Sequence, residues 1–424
     1  MGELISEGAF GVLPPGNSYV KEGGIRFLRA TELQNDNRID WSACLRAPIE
    51  FARHERAQLK IGDILIAVKG ATIASEKSIC TVASLDEQTI INGSIFRFQP
   101  TDETTSAFLR EVLSSNFIKQ QMKASLILNN AVDYLSRTSL DSLALPLPAI
   151  QTQRLLVVKM EAARATRKQK LAEADGLLAG VDDFVLQQLG LTVPQEEKLL
   201  AFAVRLGEML PARVDSHFYK PYLRKTEEAI VGLPFQKVAL HTLLDSAPIN
   251  GIDAREYLAT GQRYLRVQNV RPYELLLSDV KYVASESTKD VSLKSGDVLL
   301  TRKGTFGVAT TVSSEAEDCL ISSEIILLRL RQSVRCLPDY LVAWLNNSMA
   351  QRLLERYKTG GIMGHITQDV VSEFPVPLPP LPIQQAIANE ITRCREQARR
   401  LRDDANTGWQ AAKTRFEAQL LGDY

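Results

Sequence analysis

One motif is written twice in this chain, and the repetition limits the fold more than any other feature. Residues 59–75 read LKIGDILIAVKGATIAS and residues 292–310 read SLKSGDVLLTRKGTFGVAT, in each case Gly-Asp, an apolar run and then Lys-Gly. The likeness extends in both directions. IRFLRATEL at 25–33 answers QRYLRVQNV at 262–270, IINGSIFRF at 90–98 answers LISSEIILLRL at 320–330, and DSLALPLPAIQTQ at 141–153 answers SEFPVPLPPLPIQQ at 372–385. The offset stays between about 230 and 237 residues, so these are two copies of one domain rather than chance matches.

Each Pro-Leu-Pro run leads into a long helical pattern. From 150 to about 189 the apolar residues Val157, Met160, Leu171, Ala174, Leu178, Val181 and Val185 follow the three-then-four spacing of a coiled-coil seam, with Arg164 and Arg167 at two seam positions. The second pattern gives Ile387, Ile391, Cys394, Ala398, Leu401 and Ala405, then steps to Trp409, Ala412 and Phe416, with one extra residue near Gly408 reading as a stutter. Each predicts a helix of about 40 residues, roughly 60 Å long. Two amphipathic helices of matched length need partners for their apolar stripes, and each is available to the other if they pack antiparallel. That arrangement would put the two repeats at opposite ends of a rod, about an approximate two-fold axis.

The repeats themselves predict mixed domains. Short runs rich in Ile, Val, Leu and Phe, broken by Gly, Asp and Asn, indicate a twisted, mostly antiparallel sheet, while 106–125 and 338–360 have helical periodicity and 359–367 is a glycine-rich loop. The expected fold class is α+β: two mixed α/β domains in pseudo-two-fold tandem, separated by two long antiparallel coiled-coil helices. The expected boundaries are 1–148 for the first domain, 149–192 for the central helix, 193–234 for a connector and lead-in, 235–379 for the second domain and 380–424 for the C-terminal helix.

Composition removes several classes of function. Fifty basic residues balance fifty acidic ones over 424 residues, so any nucleic-acid binding must come from where the bases cluster. Cys44, Cys80, Cys319, Cys336 and Cys394 lack metal-site spacing and fit reduced thiols in a cytoplasm. No apolar run approaches the roughly 18 residues of a membrane span, and residues 1–10 lack the basic and apolar regions of a secretion signal. There is no GxxxxGK[ST] phosphate loop, no Asn-Pro-Pro-aromatic tetrad of amino-methyltransferases and no GxGxxG after a strand. His54, His217, His241 and His365 stand in unrelated contexts, and Asp182 and Asp183 are expected to be a solvated helix face.

Basic and amide residues at the ends of apolar runs are the remaining candidates. Arg29, Lys69, Arg266, Gln268, Asn269, Arg271, Arg302 and Lys303 occupy such positions. Arg and Gln can bond guanine and adenine edges and Lys can reach phosphates; equally, Lys-Gly can serve only as a tight turn. A two-fold object suits bipartite duplex DNA, whose equivalent groove faces recur about every 34–36 Å.

At PLPPLPIQQAIANEI (377–391) and its divergent copy LPLPAIQTQRLLVVKM (145–160), the chain resembles the specificity (S) subunits of type I restriction-modification systems. The motif GDVLLTRKGTFGVA and the lead-in RVDSHFYKPYLRK at 213–225 are similar to the same family, and the likeness runs in order along nearly the whole chain. The resemblance implies a non-catalytic subunit whose two target recognition domains each read half of a split DNA sequence, while the helix pair sets the unread spacer. It also implies two methyltransferase (M) subunits bringing S-adenosylmethionine and restriction (R) subunits using ATP and Mg, with no cofactor or metal in this chain and no membrane partner. One departure stands out: the second domain has the lead-in at 213–240 and the first does not, so either the chain starts late or the first domain lacks an edge element.

Base-reading residues do not carry over from the family. The expectation is positional: Lys69 and Lys303, with Arg29, Arg266, Gln268, Asn269 and Arg302, lie on one DNA-facing side of each domain, joined by the 360–365 loop. The residues alone also admit a coiled-coil scaffold whose two domains bind protein or ligand, or an enzyme with an unrecognised site; a deep apolar pocket or a cleft of convergent titratable groups would mark these.

Overall fold

The apolar run after each Gly-Asp becomes a central strand buried on both faces, which is why it reads as continuous hydrophobicity rather than alternation. The computed structural model describes residues 1–13, 18–128, 132–197, 199, 201–209, 215–254, 256–284, 292–358 and 365–422. It divides into two units, residues 1–170 with 404–424, and residues 171–403.

In the first unit β1 (Ile5–Phe10), β2 (Ile25–Leu28), β3 (Leu33–Gln34), β4 (Arg38–Ile39), β5 (Leu45–Ala47), β6 (Ile64–Ala67), β7 (Ile79–Thr81), β8 (Thr89–Ile91) and β9 (Ile95–Pro100) lie in sheets ordered β1-β9-β6-β7, β5-β2-β8 and β3-β4. Helices α1 (Ser106–Leu113), α2 (Asn116–Ala124) and α3 (Arg137–Asp141) follow, and then α4 (Ile150–Leu189). Ile64 and Ile66 of β6 face Phe96, Phe98, Phe108 and Val112 together with helical Val157, Met160 and Phe416. Leu65 and Ala67 face the other way, onto Leu28, Leu33 and Ile91.

The second unit opens with α5 (Pro221–Val231) and β10 (Gln236–Ala239) and then repeats the plan. Here β11 (Ile249–Asn250), β12 (Gln262–Leu265), β13 (Val270–Arg271), β14 (Glu274–Leu275), β15 (Lys281–Val283), β16 (Val298–Thr301), β17 (Ala309–Thr311), β18 (Leu320–Ile321) and β19 (Ile325–Leu328) give the orders β11-β19-β16-β17, β15-β12-β18 and β13-β14. Strand for strand these match the first unit, down to the parallel pairs β2 with β8 and β12 with β18 among otherwise antiparallel neighbours. Then come α6 (Pro338–Asn346), α7 (Ser348–Tyr357), α8 (Gln368–Ser372), β20 (Pro375–Leu378) and α9 (Leu381–Leu421). Val298 and Leu300 pack on Tyr340 and Trp344 and on helical Ala174, Val181, Val185, Ile387 and Ile391.

One interaction, made twice, explains why the repeat contains Gly-Asp. Asp63 Oδ2 accepts from the Lys60 amide at 2.8 Å, and the carboxylate pairs with Arg97 of β9 at 3.0 Å, both side chains fully buried. Asp297 Oδ2 accepts from the Lys294 amide at 2.8 Å and pairs with Arg329 at 2.7 Å. Gly62 and Gly296 precede them at φ +88° and +87°, a backbone that disfavours any side chain. Burial pushes the Asp63 carboxyl above its ordinary range, against the pull of the Lys60 amide and Arg97. The bond to Asp297 holds the Arg329 guanidinium above its ordinary value.

Helices α4 and α9 contribute to both units. In the first, Lys159 Nζ meets Gln419 Oε1 at 3.5 Å and Lys170 Nζ meets Asp404 at 3.4 Å; in the second, Arg402 pairs with Asp175 at 2.9 Å. Partner numbers fall on α9 as they rise on α4, so the helices are antiparallel. The expected seam is turned inward in each unit, and the two arginines interrupt it only in the first. Arg164 bonds Glu111 at 2.8 Å and lies 5.2 Å over the Trp409 ring, while Glu111 also pairs with Arg110. At the repeat offset, Arg110 and Glu111 correspond to the second unit's fully buried Val342 and Ala343, while Arg164 and Arg167 correspond to Arg395 and Ala398.

Three expectations change here. The periodic stretches at 106–125 and 338–360 are each two helices, broken at Ser115 and at Asn347, whose side chain accepts from the Met349 amide at 3.0 Å. Asp182 is not simply solvated: its carboxylate accepts from Asn347 Nδ2 at 2.6 Å and from the Ser348 amide at 2.8 Å, holding the start of α7. The Pro-Leu-Pro runs also part ways, since Pro375–Leu378 pairs with β10 whereas 143–149 lies in no strand. Among the described residues no helix is long and apolar enough to cross a membrane.

Removing one partner of a buried pair leaves an uncompensated charge, so Asp63→Ala lowers unfolding free energy by about 3–5 kcal/mol. Asp297→Ala lowers it less, because Arg329 is 24% exposed and can rehydrate. Denaturant melts of the two variants check the order. Glu111→Ala is similarly destabilising, whereas Arg110→Val combined with Glu111→Ala, which copies the second unit's Val342 and Ala343, is less destabilising than Glu111→Ala alone.

Candidate nucleic-acid interface

The two copies build the same turn after β2 and β12 with different side chains. In the first, the Arg29 amide donates to Glu32 Oε2 at 2.7 Å, and Arg29 Nη2 reaches Glu32 Oε1 at 2.6 Å. Thr31 Oγ1 donates to the same Oε1 at 2.7 Å, and Glu32 is buried. Glu32 thus holds Arg29 against the protein and keeps its guanidinium above the ordinary value. In the second, Asn269 takes the place of Glu32: its Oδ1 accepts from the Arg266 amide at 2.8 Å, and its Nδ2 donates to the carbonyls of Leu276 and Asp279 at 3.0 and 3.1 Å. With 1% exposure Asn269 is a turn anchor and cannot face a ligand, which corrects the expectation for that residue.

A neutral amide cannot hold an arginine as Glu32 does, and Arg266 turns elsewhere. Its Nη2 donates to the carbonyl and the carboxylate of Asp279, both at 3.1 Å, and Gln268 Nε2 donates to the same carboxylate oxygen at 2.8 Å. Arg266 Nε is buried without a hydrogen-bond partner among the described residues. The Arg266 guanidinium lies 5.8 Å from the Tyr257 ring and Lys281 Nζ lies 5.9 Å from it.

The Lys-Gly turn joins this assembly. Gly304 stands at φ +71°, as Gly70 does at +72°. A Cβ on Gly304 would come within 3.9 Å of Val267, so the 302–305 turn abuts the 266–269 turn. Together they rim an open cleft of about 500 Å³ lined by Tyr257, Arg266, Gln268, Arg271, Gly304 and Thr305, with Asp253 and Glu324 also on its wall. Lys303 is exposed beside it. Arg302 is half-buried; its amide donates to Glu324 O at 2.8 Å and its carbonyl accepts from Ile366 N at 3.2 Å. Val68 makes the matching backbone bonds with Ser94 and Leu135 but is fully buried, so an arginine in one copy stands where the other has core.

In the first unit Lys69 is exposed, and a Cβ on Gly70 would face Val132 at 3.7 Å rather than the Arg29 turn. The structure therefore gathers Arg266, Gln268, Arg271 and the Lys303 turn, while Arg29 is tied down and Lys69 stands apart from it. Of the 360–365 loop, 360–364 lies outside the described residues. Tyr257 lines the cleft, Asp279 bonds Arg266 and Gln268 on its rim, and Lys281 lies near the Tyr257 ring, although the sequence did not single them out. A tyrosine in an aperiodic polar stretch was the one available signal.

Little else points to chemistry. Burial pushes the Cys44, Cys80 and Cys336 thiols up to about 12 and raises those of Cys319 and Cys394, so none is a ready nucleophile. Among the described residues no group of three or more His, Cys, Asp or Glu could hold a metal ion.

Residues 255–398 match the family model described as "Type I restriction modification DNA specificity domain". No curated protein matches the sequence significantly. A chain solved in work on complex assembly and conformational transition of the type I R-M system is 16% identical, with 100% of this chain and 97% of that chain covered at a TM-score of 0.51, which shows a shared fold. The HsdS subunit from Thermoanaerobacter tengcongensis is 16% identical over 100% and 96% of the two chains at a TM-score of 0.36. The S subunit of the M. genitalium system is 11% identical over 99% and 94% at 0.42. The matched residues include the whole cleft rim from Tyr257 to Thr305.

Arg302→Ala with Lys303→Ala weakens binding of the assembled complex to duplex DNA and lowers the slope of log affinity against log salt by about 1–2, as expected for one or two lost phosphate contacts. A salt titration by fluorescence anisotropy checks this, and an unchanged affinity at moderate salt counts against it.

Proposed function

We propose that the chain is a DNA specificity subunit of a type I restriction-modification system and that each of its two units reads one half of a bipartite DNA target. The observation that carries this reading is a shared frame with unshared rims. Sheet order, the buried Asp-Arg pair and the left-handed glycines repeat, whereas Thr31, Glu32 and Val68 at the strand ends become Gln268, Asn269 and Arg302. Two reading heads for different half-sites need that combination, because base edges are discriminated by a few side chains held on a rigid support.

In this reading the recognition domains occupy 1–148 and 235–379, the lead-in 193–234, and the helices 149–192 and 380–424. The paired helices set the length of DNA left unread between the half-sites and dock two M subunits, which bring S-adenosylmethionine. R subunits bring ATP and Mg. The chain itself catalyses nothing, as for specificity subunits generally, and works in the cytoplasm on double-stranded DNA. Its zero net charge is workable when partner subunits share the phosphate contacts. The match to a DNA specificity domain leaves the protein- or ligand-binding scaffold without support.

Co-expression with the cognate M subunit, followed by genome-wide mapping of adenine methylation, tests this. The expected result is one bipartite motif with a fixed gap; no new methylation, or an ungapped motif, overturns it. Deleting one heptad from each of α4 and α9 should change the gap while leaving both half-sites intact, and the same map reads that outcome.

A further inference from the structure

The second unit's cleft holds one polar side chain whose hydrogen-bonding capacity is set by its neighbours before any ligand arrives. Gln268 is exposed on the rim, and its Nε2 donates to Asp279 Oδ2 at 2.8 Å. The amide can point no other way, since Oε1 turned toward a carboxylate would set two acceptors against each other. Asp279 is held in turn by Arg266, whose Nη2 donates to its carboxylate and its carbonyl. Asn269, buried beneath, donates to the same carbonyl at 3.1 Å. Arg266 and Asn269 thus fix where Asp279 stands, and Asp279 fixes the plane of Gln268.

What remains of Gln268 is one outward Nε2–H and both lone pairs of Oε1, side by side. That pair matches the N7 acceptor and N6 donor on the major-groove edge of adenine, which Gln bonds in bidentate fashion. It does not match guanine, whose major-groove edge offers two acceptors. Arg266 is poorly placed to read guanine itself, because Nη2 is engaged and Nε is buried. Resting on the DNA-specificity reading above, the geometry points to Gln268 as the residue that selects an adenine in the half-site read by the second unit, with Asp279 and Arg266 as its positioning residues. Among the described residues the first unit has no such device. Thr31 stands at the equivalent position and its hydroxyl already donates to Glu32.

The test uses the full complex of this chain with its M subunits and the methylation map. Gln268→Ala is expected to make one position of one half-site degenerate, that position being adenine in the wild-type motif, with preference for it reduced on the order of tenfold or more. The other half-site and the gap stay as they are. Asp279→Ala relaxes the same position to a smaller degree, and Thr31→Ala leaves it untouched. An unchanged half-site with Gln268→Ala overturns the assignment, as does relaxation at a position that is not adenine. Loss of all methylation with both Gln268→Ala and Gln268→Asn also overturns it, since a single exposed base contact relaxes one position rather than dismantling the complex. A wild-type complex that methylates no bipartite motif brings down the DNA-specificity reading instead, so the two failures are told apart.

Discussion

The buried pair of an aspartate and an arginine, formed once in each unit, is the constraint around which the rest of each sheet is arranged. Asp63 ends the turn that starts β6 and reaches across to Arg97 on β9; Asp297 does the same from the turn before β16 to Arg329, just after β19. Burying two charges is unfavourable unless geometry and hydrogen bonds compensate it. Here the compensation includes a backbone amide for each aspartate and, for Arg97, the Arg56 carbonyl at 2.9 Å. Because only one register of the two strands satisfies all these bonds, the pair specifies register where an all-apolar central strand would leave it loose. Everything outward from those strands, including the turns that carry the candidate interface, inherits its position from that choice.

On this common frame the two copies have diverged at the positions that face outward or meet the helices. An acid at position 32 holds Arg29 close; an amide at 269 frees Arg266 to organise Asp279 and Gln268. Likewise Val342 and Ala343, core in the second unit, stand where the first has Arg110 and Glu111 in a charged network with Arg164, whose guanidinium lies over Trp409. Both differences are small in sequence and large in consequence, since exchanging a carboxylate for an amide, or a glutamate for an alanine, redirects every hydrogen bond nearby.

Much of the architecture was legible before any coordinates. The constant offset identified two copies, and the three-then-four spacing gave two long helices whose seams, Val157 to Val185 and Ile387 to Phe416, turn inward as read. Periodicity was misleading at 106–125 and 338–360, because the helical pattern continues across Ser115 and Asn347 while the backbone does not; a capping side chain carries no periodic signal. Asp182 was invisible for a related reason: its partners are 165 and 166 residues away. Of the interface candidates, Gln268, Lys303 and Lys69 are exposed as a strand-end position implies, but Asn269 is buried, because alternation and turn propensity say nothing about which side of a turn faces the protein.

By itself, then, the sequence determined the duplication, the strand-and-helix plan and the helix lengths, all of which follow from local periodicity and from a repeat that needs no knowledge of contacts. Only the tertiary structure decided which polar residues are structural and which are free to meet a partner. That choice rests on hydrogen bonds between residues distant in the chain, such as Asp63 with Arg97, and on neighbours across a turn, such as Gln268 with Asp279. Such bonds form only once the strands have brought those groups within about 3 Å of one another.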